Sequence, residues 1–144
     1  MRTLILIAAA AATLALAAPL AAGGSSSASV TVRASTYGPI LFDGRGFVLY
    51  AFTADVRGKS NCAGACAKAW PPYVVTRAGA VGPGAASRLL GTTRRSDGKL
   101  QLTYAGRPLY YYVGDRKPGQ ILCQDVSEFG GRWLVVRASG ALVR

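Results

Sequence analysis

A ten-residue segment that occurs twice constrains this chain more than any other feature of its sequence. Residues 46–55 read GFVLYAFTAD and residues 106–115 read GRPLYYYVGD, so the two copies lie 60 positions apart. Each copy is followed by a cysteine, then by a tryptophan and a pair of valines. Two copies are too few for a solenoid, in which each unit contacts only its neighbours. We therefore expect two repeats, about 37–76 and 89–137, packed against each other with approximate twofold symmetry around one shared core.

Short apolar runs separated by turn dipeptides indicate that the repeats consist of β-strands. Asp-Gly at 43–44 and 97–98 and Ala-Gly at 105–106 stand between such runs, where hairpins require positive φ. The expected strands are 30–32, 40–42, 47–53, 73–76, 100–104, 109–113 and 133–136. One segment, 62–69, is rich in alanine and is expected to be helical until the Trp-Pro-Pro sequence at 70–72 ends it.

These patterns predict a mostly β fold. The chain has 144 residues, of which 51% are hydrophobic, which suffices for one packed domain and rules out disorder of the whole chain. We expect two duplicated antiparallel β units and one short helix, packed together as a single small sandwich or barrel-like domain.

Residues 1–22 have the layout of a secretory signal peptide: a positive start, an apolar run and small residues. The run is too short and too rich in alanine for a confident membrane span, so we expect no transmembrane segment in the mature chain. Cleavage after Ala17 or Ala22 would leave no cysteine for lipid attachment. We expect a protein that is secreted or held in the periplasm or cell envelope, with 23–36 as a flexible leader and first strand and 37–144 as one domain. A retained N-terminal anchor is the alternative.

Export would determine the state of the three cysteines, because an oxidising compartment favours disulfides. Cys62 and Cys66 would lie one turn apart on one face of the expected helix, which favours a bridge between them and leaves Cys123 free. Pairing of Cys123 with either of the others is the alternative. The spacing of three residues between Cys62 and Cys66 also excludes a C-x-x-C redox motif.

Each copy of the duplicated segment contributes two aromatic residues to one strand face and an aspartate just past the strand end. These candidate site residues are Tyr50, Phe52, Asp55, Tyr110, Tyr112 and Asp115. The favoured interpretation is an aromatic core whose aspartates accept backbone N–H groups and fix the following turns. The alternative is a ligand groove in which tyrosine hydroxyls and carboxylates converge on a small molecule or cation.

Several classes of enzyme are excluded because the chain contains no histidine. Its absence removes the Ser-His-Asp triad, the Cys-His pair and histidine-ligated zinc or copper. The single methionine, Met1, would leave with the signal peptide, so we expect no metal and no cofactor. We expect a non-enzymatic exported module, structural or binding. Alternatives are a redox- or metal-associated protein that uses its cysteines, and a hydrolase built on Asp55, Asp115, Asp125 or Glu128, although mirrored positions of the first two argue for structure.

The chain is strongly basic. Its 17 Lys and Arg against 6 Asp and Glu give a net charge of +11, or +10 once Arg2 is removed with the signal peptide. The cations are spread along the chain, and no recognition helix or basic-aromatic interleaving points to nucleic acid. The favoured interpretation is a solvated, solubilising surface. The alternative is that the charge binds anionic envelope polymers or lipid headgroups, the partners best suited to it outside the cell. The sequence predicts no oligomeric state.

Residues 49–55 and 109–115 both fit the pattern Tyr-x-(Phe/Trp/Tyr)-x-x-Asp. Together with 59–72 and 95–110, they resemble the bacterial family called the secreted repeat of unknown function, whose members are exported proteins and lipoproteins. The resemblance covers roughly 37–137 and implies export, but it implies no activity and no catalytic residues. The chain departs from the family pattern in lacking a lipid-attachment cysteine and in carrying a cysteine at 123, where relatives tend to be glycine-rich.

Overall fold

The computed structural model describes residues 29–144, so the expected signal peptide and most of the expected leader lie outside the described residues. Eight short strands and one short α-helix make up the regular structure of the described range. They are β1 (Thr31–Arg33), β2 (Ile40–Phe42), β3 (Tyr50–Phe52), α1 (Ala65–Ala69), β4 (Leu90–Arg94), β5 (Leu100–Tyr104), β6 (Arg107–Pro108), β7 (Val126–Glu128) and β8 (Gly131–Val135), with a 3-10 turn at Ser87–Leu89. None of the helical segments in this range has the length and apolar character that a membrane crossing requires.

The strands form three small antiparallel sheets, with the orders β1-β2, β3-β8-β7 and β4-β5-β6. The sheets pack together as a sandwich-like fold and do not close into a barrel. The predicted fold class, mostly β with one short helix, is therefore confirmed.

The two repeats meet at a pair of tyrosines. Tyr50 and Tyr110 exchange backbone hydrogen bonds, each N–H donating to the carbonyl of the other at 2.9 Å. Strand pairing between the repeats continues beside these tyrosines. Phe52 of the first repeat pairs with Trp133 of β8 in the second, and Tyr110 also forms a β-bridge with Pro72 of the first. The repeats are therefore not two separate sheets, because each completes its strand pairing with residues of the other.

Both faces of the central strands are buried, which divides the interior into two cores. Ile40 and Phe42 of β2 face one core and Leu41 between them faces the other, as the two-residue period of a strand requires. The aromatic core contains Ile40, Phe42, Val48, Tyr50, Phe52, Cys62, Cys66, Trp70, Tyr110, Trp133, Val135 and Val143. The aliphatic core contains Val30, Leu41, Leu49, Ala51, Leu102, Tyr104, Leu109 and Val136.

Three expected strands are shorter than the apolar runs that predicted them. Of 47–53 only Tyr50–Phe52 is a strand, and 73–76 and 109–113 contain isolated bridges without a continuous ladder. For the last two segments proline supplies the physical reason: Pro72 and Pro108 carry no N–H to donate, so the ladder is interrupted beside them.

Three strands, β4, β6 and β7, were not expected from the sequence, and the helix begins later than expected. All three lie at the edge of their sheets, and β4 and β7 are polar, so they lack the apolar alternation that marks a strand. The helix starts at Ala65 and not at Cys62, because Gly64 has φ 57° and ψ −123°, a conformation outside the helical region. The residues before it form a turn that brings the cysteines together.

A disulfide joins Cys62 and Cys66, whose Cα atoms lie 5.3 Å apart, and Cys123 is a free thiol. Both bridged cysteines are buried in the aromatic core. The bridge therefore fixes the start of α1 within the core that also contains Tyr50 and Tyr110.

Removing this bridge with the double substitution Cys62→Ala and Cys66→Ala is expected to lower the free energy of unfolding by about 2 kcal/mol, because the unfolded chain regains the freedom of a short loop. Urea denaturation under non-reducing conditions measures the change. The matched control, Cys123→Ala, should cost less than about 1 kcal/mol. Equal stability of the double variant and the parent would contradict a structural role for the bridge.

Candidate functional site

The two central tyrosines cross over to the aspartates of the opposite repeats. The Tyr50 hydroxyl donates to Asp115 Oδ2 and the Tyr110 hydroxyl donates to Asp55 Oδ2, each at 2.7 Å. The crossing follows from the strand pairing, because the Tyr50–Tyr110 bridge places each ring beside the strand end of the other repeat. The result is two reciprocal Tyr–Asp pairs around one axis.

The second oxygen of each aspartate organises its own loop. Asp55 Oδ1 accepts the backbone N–H of Asn61 at 2.6 Å, and Asp115 Oδ1 accepts that of Leu122 at 3.0 Å. Each carboxylate thus joins the loop of its own repeat to the tyrosine of the other. The predicted position of the aspartates just past a strand end, where they hold the following loop, agrees with these bonds.

Burial changes the acidity of all four groups. Tyr50 and Tyr110 are fully buried, and burial raises the pKa of each hydroxyl above its ordinary value. Asp115 is 8% exposed and Asp55 is half-buried. Burial also raises the pKa of both carboxyls, although their hydrogen bonds from tyrosine and backbone favour the charged form and offset part of the effect. The tyrosines therefore stay protonated donors.

The third residue of the motif completes an aromatic column. Phe52 stacks on Trp133 at 4.2 Å between ring centroids, Trp133 stacks on Trp70 at 4.1 Å, and Trp70 lies 4.7 Å from Tyr112. Each motif aromatic thus packs on the tryptophan of the opposite repeat. Of the six candidate site residues, Tyr50, Phe52 and Tyr110 belong to the aromatic core and Tyr112 packs against it. Asp55 and Asp115 are joined to this core through the tyrosine hydroxyls.

Sequence reasoning missed a polar cluster on the Asp55 side of the axis. Ser60 Oγ lies 2.7 Å from the Tyr110 hydroxyl and accepts a hydrogen bond from Arg95 Nη1 at 2.9 Å. Arg95 is only 6% exposed, and it also donates to Gln101 Oε1 and to the Cys62 carbonyl. A buried arginine requires such partners. No spacing in the sequence distinguishes Arg95 from the other arginines, so only its position in the fold could identify it.

The Asp115 side of the axis differs, because Cys123 occupies the place that corresponds to Cys62. Its thiol lies beside the Tyr112 hydroxyl, and burial raises the pKa of that thiol, with the charges of Asp115 and Glu128 acting in the same direction. Reactive cysteines have a lowered pKa and a positive surrounding. The surroundings of Cys123 are therefore those of an inert thiol.

The loop after each aspartate is attached to a glycine of the opposite repeat. Gly58 N–H donates to the Gly106 carbonyl at 2.7 Å, and Gly119 N–H donates to the Gly46 carbonyl at 2.9 Å. Gly46 and Gly106 open the two copies of the duplicated segment and have φ of 94° and 75°. Residues with a Cβ rarely adopt this conformation, which explains why both copies begin with glycine.

The surface of the described range is basic. Residues 29–144 hold 16 of the 17 basic residues and all six acidic ones, a net charge of 16 − 6 = +10. Thirteen of the 16 basic residues are exposed. The ion pairs within this range join Asp43 with Arg45, Asp97 with Arg95 and Asp125 with Arg132, so most exposed cations have no acidic partner there. The same range contains no group of three or more Cys, Asp or Glu placed to hold a metal ion.

Removing one hydroxyl tests the crossed pairs. Tyr50→Phe is expected to lower the free energy of unfolding by about 1.5–3 kcal/mol, because the buried Asp115 carboxylate loses a hydrogen bond to a charged group. Thermal or urea unfolding measures the effect. Tyr37→Phe is the matched control, since Tyr37 packs on the same core without a hydroxyl hydrogen bond in the described range, and it should stay within about 0.5 kcal/mol. A Tyr50→Phe protein as stable as the control would contradict the proposed role of the pair.

The raised pKa of Asp115 predicts that this residue makes the folded protein more stable as the pH falls. The folded protein binds the proton more tightly than the unfolded chain, so the parent should gain stability over Asp115→Asn as the pH falls from neutral toward the ordinary aspartate pKa of about 3.9. Asp97 is the control, for which the opposite change in stability is expected, because the hydrogen bond from the Lys99 N–H lowers its pKa. There the parent should lose stability relative to Asp97→Asn on acidification. Urea unfolding across this pH range measures both differences, and the same sign for both would contradict the assignment.

Comparison with known proteins agrees with the duplication. The model of the family described as the secreted repeat of unknown function matches residues 31–73 and 91–137. Searches of curated proteins and of solved structures give no match. The two matched stretches contain the two halves that meet at Tyr50 and Tyr110, and together they cover well over half of the chain. The chain therefore belongs to the family of the secreted repeat of unknown function.

Proposed function

We propose that this chain is an exported, non-enzymatic module that binds anionic polymers of the cell envelope, and that the Tyr-x-aromatic-x-x-Asp segments, as the signature of the family, build its core. The observation that carries the proposal is the reciprocal bonding of Tyr50 with Asp115 and of Tyr110 with Asp55. The hydroxyl and carboxyl groups that a catalytic site would direct at a substrate are bonded to one another. The motif therefore supports the fold, and binding is left to the surface.

Export is supported by the family and by the disulfide. The chain belongs to a family of secreted repeats, and the Cys62–Cys66 bridge suits an oxidising compartment. The signal peptide proposed at 1–22 fits both, although it lies outside the described residues. A disulfide and a dense aromatic core would stabilise a small domain outside the cell, where chaperones are scarce.

Binding to a polyanion is supported by the distribution of charge. The exposed cations belong to loops and strands of both repeats, and most have no acidic partner in the described range. Such a surface attracts a long anionic polymer by many weak contacts, each of which releases counterions. No single groove is needed for this mode of binding.

The redox- or metal-associated alternative would have to use Cys123, since the other two cysteines are bridged. The raised pKa of its thiol argues against redox chemistry there. The hydrolase alternative would use Asp55, Asp115, Asp125 or Glu128. The oxygens of the first two are all engaged by tyrosine hydroxyls and backbone N–H groups. Asp125 pairs with Arg132, and Glu128 accepts the indole N–H of Trp70. Neither alternative is favoured by an observation of its own.

The proposal predicts salt-dependent binding of the secreted chain to poly(glycerol phosphate), weakening steeply as salt rises from about 50 to about 300 mM. Isothermal titration calorimetry measures the affinity, with dextran as the neutral polymer. A fourfold variant with glutamine at Lys68, Arg77, Arg88 and Lys99, all exposed, should bind more weakly. The matched control exchanges lysine and arginine at the same four positions and should bind like the parent.

Two results would contradict the proposal. One is absence of binding at low salt, and the other is binding that does not respond to salt. Vesicles of phosphatidylglycerol and of phosphatidylcholine form the third arm of the experiment. Binding to the anionic vesicles without binding to the polymer would replace the polymer by a lipid surface as the partner.

A further inference from the structure

We propose that a small cavity between the loop after Asp55 and the β5–β6 hairpin binds one monovalent oxyanion, a phosphodiester or a carboxylate group. Its identification as a group of an envelope polymer rests on the function proposed above, whereas the anion site itself does not. The cavity is walled by both repeats: Phe52 and Arg57 come from the first, and Gly106, Arg107 and Pro108 from the second.

The cavity is large enough for one functional group but too small to enclose a drug-sized molecule. Its volume is about 120 Å³. Pockets that enclose drug-sized ligands measure about 300–1,000 Å³. Phe52 and Pro108, both buried, supply an apolar wall that suits the carbon atoms next to an anionic group.

Two arginines line this cavity, and each has N–H groups without a partner in the described range. Arg57 has no hydrogen bond or ion pair within the described range, and its side chain lies across Gly106, where a Cβ would come within 2.7 Å of Arg57 Cγ. Arg107 donates from Nε to the Gly140 carbonyl at 2.9 Å, which leaves both terminal nitrogens for a ligand. Arginine presents a planar fork that matches the oxygens of a carboxylate or phosphate group.

The charge of the cavity favours a monoanion. Asp55 is the one carboxylate in its wall, and both of its oxygens are already engaged, by the Tyr110 hydroxyl and the Asn61 N–H. It forms no ion pair with Arg57 or Arg107 at 4.0 Å or less. Two positive charges and one negative charge leave a net charge of +1, which a singly charged group neutralises and a doubly charged one exceeds.

The fold does not require these two arginines. In the other repeat Phe47 stands in place of Arg107, 60 positions away. Pro118 stands in place of Arg57, because it precedes Gly119 as Arg57 precedes Gly58. The hydrogen bond that attaches the loop to the hairpin glycine is nevertheless present in both repeats. The paired arginines are therefore found at only one of the two contacts between a loop and the glycine of the opposite repeat, as expected of a site for a ligand.

An NMR titration of the full secreted chain tests the site. The probes are bis(glycerol) phosphate, glucuronate and methyl phosphate, which approaches two charges above pH 7. Saturable shifts of the Gly58 and Gly106 amides are expected with the monoanions. Arg57→Gln should weaken this binding about tenfold, the usual effect of losing a charged hydrogen bond. Arg88→Gln removes an exposed arginine outside the cavity wall and should leave the affinity unchanged.

Arg107→Lys tests whether the shape of the guanidinium group matters apart from its charge. Lysine keeps the positive charge but cannot donate two parallel hydrogen bonds to an oxyanion. We expect several-fold weaker binding of the phosphodiester, with urea unfolding used to verify that the variant is folded. Binding of only the phosphodiester or only glucuronate supports the site and identifies a phosphate polymer or an acidic glycan as its source. Tighter binding of methyl phosphate than of both monoanions would overturn the charge assignment.

Three further results distinguish the site from the proposed function. Equal weakening by Arg57→Gln and Arg88→Gln would overturn the site and leave diffuse polymer binding intact. No saturable binding of any monoanion by the parent would overturn the site as well. Saturable binding in the cavity by a protein that ignores poly(glycerol phosphate) would support the site and overturn the polymer function.

Discussion

The hydrogen bonds exchanged by Tyr50 and Tyr110 are the constraint on which the rest of this structure depends. They bring two copies of one segment together at an axis, so each strand continues into partners supplied by the other copy. The hydroxyls of the same tyrosines then reach the opposite aspartates, Asp55 and Asp115. Backbone pairing and side-chain pairing thus reinforce each other, and neither repeat can complete its bonding alone.

The stacked rings of the aromatic column also join the two repeats, through apolar contacts. Trp70 and Trp133 stack on each other, and each carries the motif aromatic of the opposite repeat on its outer face. The indole N–H groups differ: Trp70 donates to Glu128 at 2.9 Å, while the buried Nε1 of Trp133 has no hydrogen-bond partner in the described range. The duplicated scaffold therefore tolerates local divergence because its stability comes from shared packing.

Divergence between the repeats is concentrated around the axis and at the surface. On one side a buried arginine and a disulfide support the Tyr110–Asp55 pair, whereas a free cysteine lies on the other side. Outside the core, Arg57 and Arg107 line one cavity, and neither has an arginine at the matching position of the other repeat. A structural duplication leaves such positions free to vary, because the bonds that hold the loops are made by the two aspartates and by backbone groups.

The sequence by itself determined the duplication and the β character, favoured the Cys62–Cys66 disulfide and selected six candidate residues in the duplicated segment. Those inferences rest on local period and spacing, which a single strand or turn already obeys. Only the tertiary structure decided that each tyrosine bonds the aspartate of the other repeat, and that Arg95 is buried while Arg57 and Arg107 face a cavity. These arrangements join residues about 30 to 65 positions apart. The duplicated motif selects the tyrosines and aspartates but not their partners, and nothing in the local sequence distinguishes these arginines from the others. The polar edge strands β4 and β7 were missed for the same reason, since pairing with a neighbour and not their own apolar pattern makes them strands.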